Sequence, residues 1–315
     1  MEYGLQVLLV LALMGVGFFA RKQKILSATG TSELARILVS IIYPCLIFSS
    51  ITRLHFQSFA QNWAMPLLAL GLAGTGFFMG WLVLRMIKGV NPHRADAFLF
   101  QSTINNYLFL PLPLVMLLWG NEGVALLVFA SVGFELTVWS VGIFLFNRSN
   151  GFREGLYRMF SPPLLTLLGS IAWVCLRDSG WIPALPPGDL AERLFQLFHF
   201  GTQSLGNGTI AISMLVAGSR IAAMDFRAMY DPHVWLLIPL RLLVVPVIYI
   251  LLLRQLPLSS TAYGILCVIA TMPAAIASLV FSERFGGDSD FISSSLLLTH
   301  LLALLTIPLL LAWAF

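Results

Sequence analysis

Residues 101–113 read Gln-Ser-Thr-Ile-Asn-Asn-Tyr-Leu-Phe-Leu-Pro-Leu-Pro and lie inside the apolar run 95–119. A run of that length can cross a bilayer as a helix. Such a helix must satisfy its own backbone hydrogen bonds, because the hydrocarbon core supplies no water. Here two adjacent amides, Asn105 and Asn106, are followed by two prolines, Pro111 and Pro113. Each proline lacks an N–H, and its ring collides with the preceding turn. A break of this kind is tolerated at membrane depth only where it is buried in protein or lines a wet cavity. A second apolar run, 261–281, is interrupted in the same way at 271–275, Thr-Met-Pro-Ala-Ala. Matching interruptions in the two halves of a chain point to a transporter's binding site.

Composition agrees with a membrane setting. The 315 residues are 58% hydrophobic and 10% charged, with a mean hydropathy of +0.89. A soluble domain carries about 25% charged residues. The net charge of +4 is dispersed through short connections and forms no basic patch, so no nucleic-acid partner is expected. Cys45, Cys175 and Cys267 are scattered through apolar runs, with no CxxC or Cys/His spacing. No disulfide framework and no metal site follow from them. Glu2 precedes the first apolar run, and Arg21, Lys22 and Lys24 follow it, the reverse of a cleaved signal. The first run is therefore expected to remain a helix with its N-terminus outside.

Ten apolar runs have the length of a span: 3–20, 34–52, 64–84, 95–119, 122–146, 161–176, 194–218, 235–253, 261–281 and 290–314. Thirteen of the 18 Lys and Arg residues fall in or beside the odd-numbered connections. Only Arg53, Arg177, Arg193 and Arg254 fall in the even ones, and Arg241 lies within a run. The positive-inside rule then places the odd connections in the cytoplasm and both termini outside. The expected fold class is an all-α membrane protein of ten transmembrane helices. It forms a 5+5 inverted repeat, with a first repeat at 1–146, a cytoplasmic connection at 147–160 and a second repeat at 161–315. The interrupted spans 4 and 9 cross near the midplane, because an odd number of spans per half reverses the second half.

A broken helix exposes N–H groups at one new end and carbonyls at the other. The N–H end favours an anion, and the carbonyls suit a cation. Asn105 and Asn106 can serve either ligand, since an amide donates and accepts. Pro113 and Pro273 make the breaks, and Thr271 and Met272 flank the second one. Glu135 lies inside span 5, where an acid is a functional candidate by default. It could carry a coupling proton or pair with a cation. Arg241, seven residues into span 8, could face a carboxylate or snorkel to the interface. His300 lies in span 10. Asn207, between Gly206 and Gly208, could meet substrate or allow close packing, and Gly76 and Gly80 form a helix-packing face. The substrate-binding candidates are Asn105, Asn106, Pro113, Asn207, Arg241, Thr271, Met272 and Pro273, with Glu135 and His300 as coupling or proton candidates.

Several stretches together resemble the auxin efflux carrier family. Residues 106–114, Asn-Tyr-Leu-Phe-Leu-Pro-Leu-Pro-Leu, are similar to its span-4 signature, with Pro111 where many members have glycine. Residues 204–209 and 215–219 resemble its span 7, residues 270–275 its span 9 and residues 304–309 its last span. The resemblance covers nearly the whole chain. It implies the inverted-repeat fold shared with bile acid sodium symporters, a scaffold of spans 1, 2, 6 and 7 and a mobile domain of spans 3–5 and 8–10. It also implies alternating access, a homodimer through the scaffold, and carboxylate substrates such as auxin, malonate or malate.

Enzyme signatures are absent: there is no HExxH, GxSxG, Walker A or Gly-rich dinucleotide motif. The reading is a carrier of a small organic anion, embedded in lipid as a multi-pass protein, with a bacterial inner membrane expected. No cofactor is expected beyond coupling to H+ or Na+. The rivals are a sodium-coupled symporter of the bile-acid type and a membrane sensor that binds without translocating.

Overall fold

A computed structural model describes residues 2–146, 162–182, 189–223, 231–276, 278 and 287–315. The connection 147–160 and most of the stretch after the second break therefore lie outside the described residues. The regular elements among the described residues are helices: α1 (Glu2–Lys22), α2 (Ala28–Ile37), α3 (Tyr43–Ile51), α4 (Phe56–Gln61), α5 (Met65–Met86), α6 (Pro92–Thr103), α7 (Pro111–Thr137) and α8 (Ile143–Phe146). There follow α9 (Pro162–Asp178), α10 (Leu190–Gly206), α11 (Gly208–Ala222), α12 (Pro232–Pro239), α13 (Val245–Leu253), α14 (Ser260–Ala270) and α15 (Ser289–Ala314).

Among the described residues, five continuous stretches are long and apolar enough to cross a membrane: Ala28–Ile51, Phe56–Met86, Pro111–Gly142, Pro232–Leu253 and Ser289–Ala314. Other apolar runs are split by breaks. Run 95–119 ends as α6 and resumes at Pro111, run 194–218 divides at Asn207, and run 261–281 stops after α14. Runs 4 and 5 are divided where the sequence divides them. Gly120 turns the chain inside α7 with φ 60° and ψ −152°, a conformation open essentially only to glycine.

Three helices widen by one turn of π-helix, at Leu38–Ile42, Val138–Gly142 and Leu240–Val244. Two of them share a cause. The widened turns at 38–42 and 240–244 are followed two residues later by a proline, Pro44 and Pro246. A proline cannot donate to the carbonyl four residues back and its ring pushes that carbonyl away. The helix relieves this by one wider turn.

Small residues set the closest approaches. A Cβ on Gly218 would lie 1.9 Å from the Met14 carbonyl oxygen, and one on Gly17 would lie 2.3 Å from that of Leu215, so α1 and α11 pack backbone to backbone. Gly206 brings α10 against Leu46 of α3, which also packs on α9. Elsewhere α5 lies against α6 and α7, α14 against α7, and α15 against α6 and α12. The expected packing face of Gly76 and Gly80 is used by α5. A Cβ at either would sit 2.2 and 2.1 Å from the oxygens of Ser102, at the end of α6. Arg94 ties three helix starts together. Its guanidinium meets Asp231 and Asp288 at 2.8 Å each, and these aspartates accept from the first-turn N–H groups of His233 and Phe291. Large apolar side chains such as Phe78, Trp81, Leu197 and Leu309 remain on the outside, as lipid-facing residues do.

Candidate functional site at the helix crossing

The two breaks meet. Residues 104–106 and 273–275 run antiparallel: the Asn106 N–H donates to the Pro273 carbonyl at 2.8 Å and the Ala275 N–H to the Ile104 carbonyl at 3.2 Å. Backbone groups freed by the interruptions thus satisfy one another, as they must where no water is available. Around this short pairing lie the ends of α6 and α14 and the start of α7.

The two neighbouring amides do different work. Asn105 has no exposed surface, and its Nδ2 donates to the Ile269 carbonyl near the end of α14. Its Oδ1 is buried with no partner among the described residues. Asn106 turns the other way, and its Oδ1 accepts from the Leu110 N–H at 3.4 Å. Asn106 is itself buried, and its Nδ2 has no hydrogen-bond partner among the described residues.

The start of α7 is not the set of free N–H groups that the sequence leads one to expect. Of positions 110–113, the two prolines have no N–H, Leu110 donates to Asn106, and Leu112 donates to the Leu108 carbonyl at 2.9 Å. What this end offers is the positive end of a helix dipole, with Asn106 as the polar group beside it.

On the carbonyl side stands Arg241. It has no exposed surface and sits in the widened turn after Pro239. Its NH1 donates to the Ser102 carbonyl at 3.1 Å, Nε to Met272 at 3.3 Å and NH2 to Ala270 at 3.4 Å. One guanidinium therefore gathers carbonyls from the ends of both α6 and α14. Thr271 and Met272 are equally buried, and the Thr271 hydroxyl donates back to Val268 at 2.9 Å.

Glu135 comes near the crossing through a residue whose role the sequence did not reveal. The Tyr107 hydroxyl donates to Glu135 Oε1 at 2.9 Å, and its ring stacks on Phe134 at 4.7 Å. Tyr107, Phe109 and Glu135 are only partly buried. Tyr43 of α3 meets the Phe109 ring edge-on at 6.0 Å, so a helix from the α1–α3 side faces this polar pair. A signal for Tyr107 existed: a tyrosine hydroxyl inside an apolar run needs a partner, and Glu135 is an acid well inside a span of the same half of the chain.

His300 is buried on α15, with Nδ1 on its own Leu296 carbonyl at 2.8 Å and Nε2 without a partner among the described residues. Asn207 is exposed at the junction of α10 and α11. No hydrogen bond among the described residues joins it to the crossing. Pro113 is buried in the first turn of α7. The crossing thus brings together Asn105, Asn106, Arg241, Thr271, Met272 and Pro273, with Glu135 attached through Tyr107. Among the described residues no His, Cys, Asp and Glu cluster could hold a metal ion.

Comparisons with known proteins point to membrane transporters. The chain is similar to an uncharacterized transporter of Methanothermobacter thermautotrophicus, 24% identical over 96% of this chain and 95% of the relative. It is similar to a second uncharacterized transporter, from Methanocaldococcus jannaschii, 23% identical over 96% of each. The sequence profile of the family described as membrane transport protein matches twice in succession, over residues 5–156 and 156–311. Matched along nearly its whole length, the chain belongs to this membrane transport protein family, that of the auxin efflux carriers.

Proposed function

We propose that this membrane transporter is a secondary carrier of a small organic anion, a malonate-, malate- or auxin-like carboxylate, bound at the crossing and moved by alternating access. In this reading ten spans form the inverted five-plus-five repeat. The helices α1–α3 and α9–α11 are the scaffold and dimer surface, and α4–α8 with α12–α15 are the part that moves. The observation that carries the proposal is the state of Asn106. Its carbonyl accepts from the Leu110 N–H, while its amide donor has no partner among the described residues, and the next residue in the chain, Tyr107, bonds the partly exposed Glu135. A fixed amide donor at the positive end of a half-helix suits a carboxylate without a full protein charge beside it. Glu135, held by Tyr107 next to this place, is positioned to carry a coupling proton, since an intramembrane acid that reaches a substrate site can exchange a proton with the passing ligand.

The decisive experiment is counterflow of labelled malonate, and then of a panel of carboxylates, in proteoliposomes holding the purified chain. Saturable counterflow is expected. Saturable binding with no counterflow would make the protein a sensor on the same fold.

A further inference from the structure

The crossing has a carbonyl side, and it is already filled. An α-helix that stops leaves its last four carbonyls unpaired, and the aligned dipoles give that end about half a negative elementary charge. Two helices, α6 and α14, stop at the crossing, so together they present about one negative charge. Among the described residues no carboxylate forms an ion pair with Arg241, yet its guanidinium is entirely buried. Its charge is met by the carbonyls of Ser102, Ala270 and Met272, drawn from both helix ends. One positive charge thus faces two half-charges. Arg241 sits in the widened turn Leu240–Val244, and the Ser102 carbonyl lies so close to α5 that a Cβ on Gly76 would come within 2.2 Å of it.

A ring of converging main-chain carbonyls in a dry interior is the chemistry that holds a small alkali cation. We infer that Arg241 is a tethered cation occupying this carbonyl cradle, so that the crossing needs no sodium ion to hold α6 and α14 together or to complete the transport cycle. Only the transport arm of the test rests on the carrier reading. The stability arm does not.

The test uses the full chain in detergent and in proteoliposomes, with sodium chloride or N-methyl-D-glucamine chloride as the salt. For the natural sequence the melting temperature is expected to be the same in both salts, and malonate counterflow equally fast. Sodium-dependent melting, or a tenfold or greater fall in counterflow without sodium, would overturn the inference. Arg241→Ala leaves the cradle empty and is expected to melt about 10 °C lower, with part of that loss recovered in sodium or in low millimolar guanidinium. A variant as stable as the natural sequence, or one that neither cation restores, would make Arg241 an ordinary brace and end the proposal. If Arg241→Ala does not fold, the two-salt comparison on the natural sequence still tests whether the crossing needs sodium, and sodium-dependent melting there overturns the inference. If no carboxylate shows counterflow while melting ignores sodium, the carrier reading fails and the tethered cation stands.

Discussion

The two sides of the crossing are built from the same interruption and differ in what they leave open. On the carbonyl side Asn105, Thr271, Met272 and Arg241 have no exposed surface, and the carbonyls near the helix ends are occupied by protein donors. On the other side the Asn106 Nδ2 has no partner among the described residues, and Tyr107, Phe109 and Glu135 are partly exposed. Adjacent residues in sequence, Asn105 and Asn106, fall on opposite sides because successive positions in this short antiparallel pairing point opposite ways. A broken helix in a membrane therefore need not offer both of its new ends to ligand. One end can be sealed to keep the fold intact while the other serves function.

Substitutions should separate the two sides. The largest effect is expected from Gly76→Val on the sealed side. Its Cβ would fall 2.2 Å from the Ser102 carbonyl that Arg241 holds, a backbone clash costing more than about 4 kcal/mol. Expression with loss of folded monodisperse protein on size exclusion is the expected result, and a normal elution profile would mean that α5 and α6 are not locked. Next comes Asn106→Ala on the open side, which should weaken carboxylate binding on the order of 100-fold, about 3 kcal/mol, with the melting temperature nearly unchanged. Unaltered affinity in a binding titration would place the ligand elsewhere.

Asn105→Ala should show the opposite pattern. A loss of about 2 kcal/mol in stability is expected from the buried hydrogen bond to the Ile269 carbonyl that is removed and the small cavity left behind, with affinity within a few-fold of the natural protein. If the two asparagine variants behave alike, the contrast between the sides is false. Glu135→Gln should flatten the pH dependence of counterflow while leaving affinity at a permissive pH almost intact, and an unchanged pH profile would remove Glu135 from coupling. The smallest change is expected from Tyr107→Phe, which keeps the stack on Phe134 and removes one hydrogen bond worth about 1 kcal/mol. A several-fold lower counterflow rate would be its signature, and no change at all would make the Tyr107–Glu135 contact incidental.

Much of the crossing is legible in residue chemistry alone. Two prolines after two amides cannot continue a membrane helix, so the break at 104–110 and its partner at 271–275 are marked by the residues themselves. The turn between runs 4 and 5 falls at Gly120, the residue able to make it. The packing use of Gly76 and Gly80 follows from their spacing. The partners of Arg241 are not legible in this way. They are main-chain carbonyls at 102, 270 and 272, and every residue has a carbonyl, so no side-chain type marks them. The loss of N–H groups at the start of α7 is equally hidden, because it depends on where Asn106 and Leu108 fold back.

The sequence by itself determined that this chain lives in a membrane, where its helices must break and which family it belongs to, because hydrophobicity, proline and chain order are local properties. Only the tertiary structure decided which side of the break is sealed and which stays open. That choice depends on hydrogen bonds between segments far apart in the chain, above all on one guanidinium reaching the ends of two helices at once.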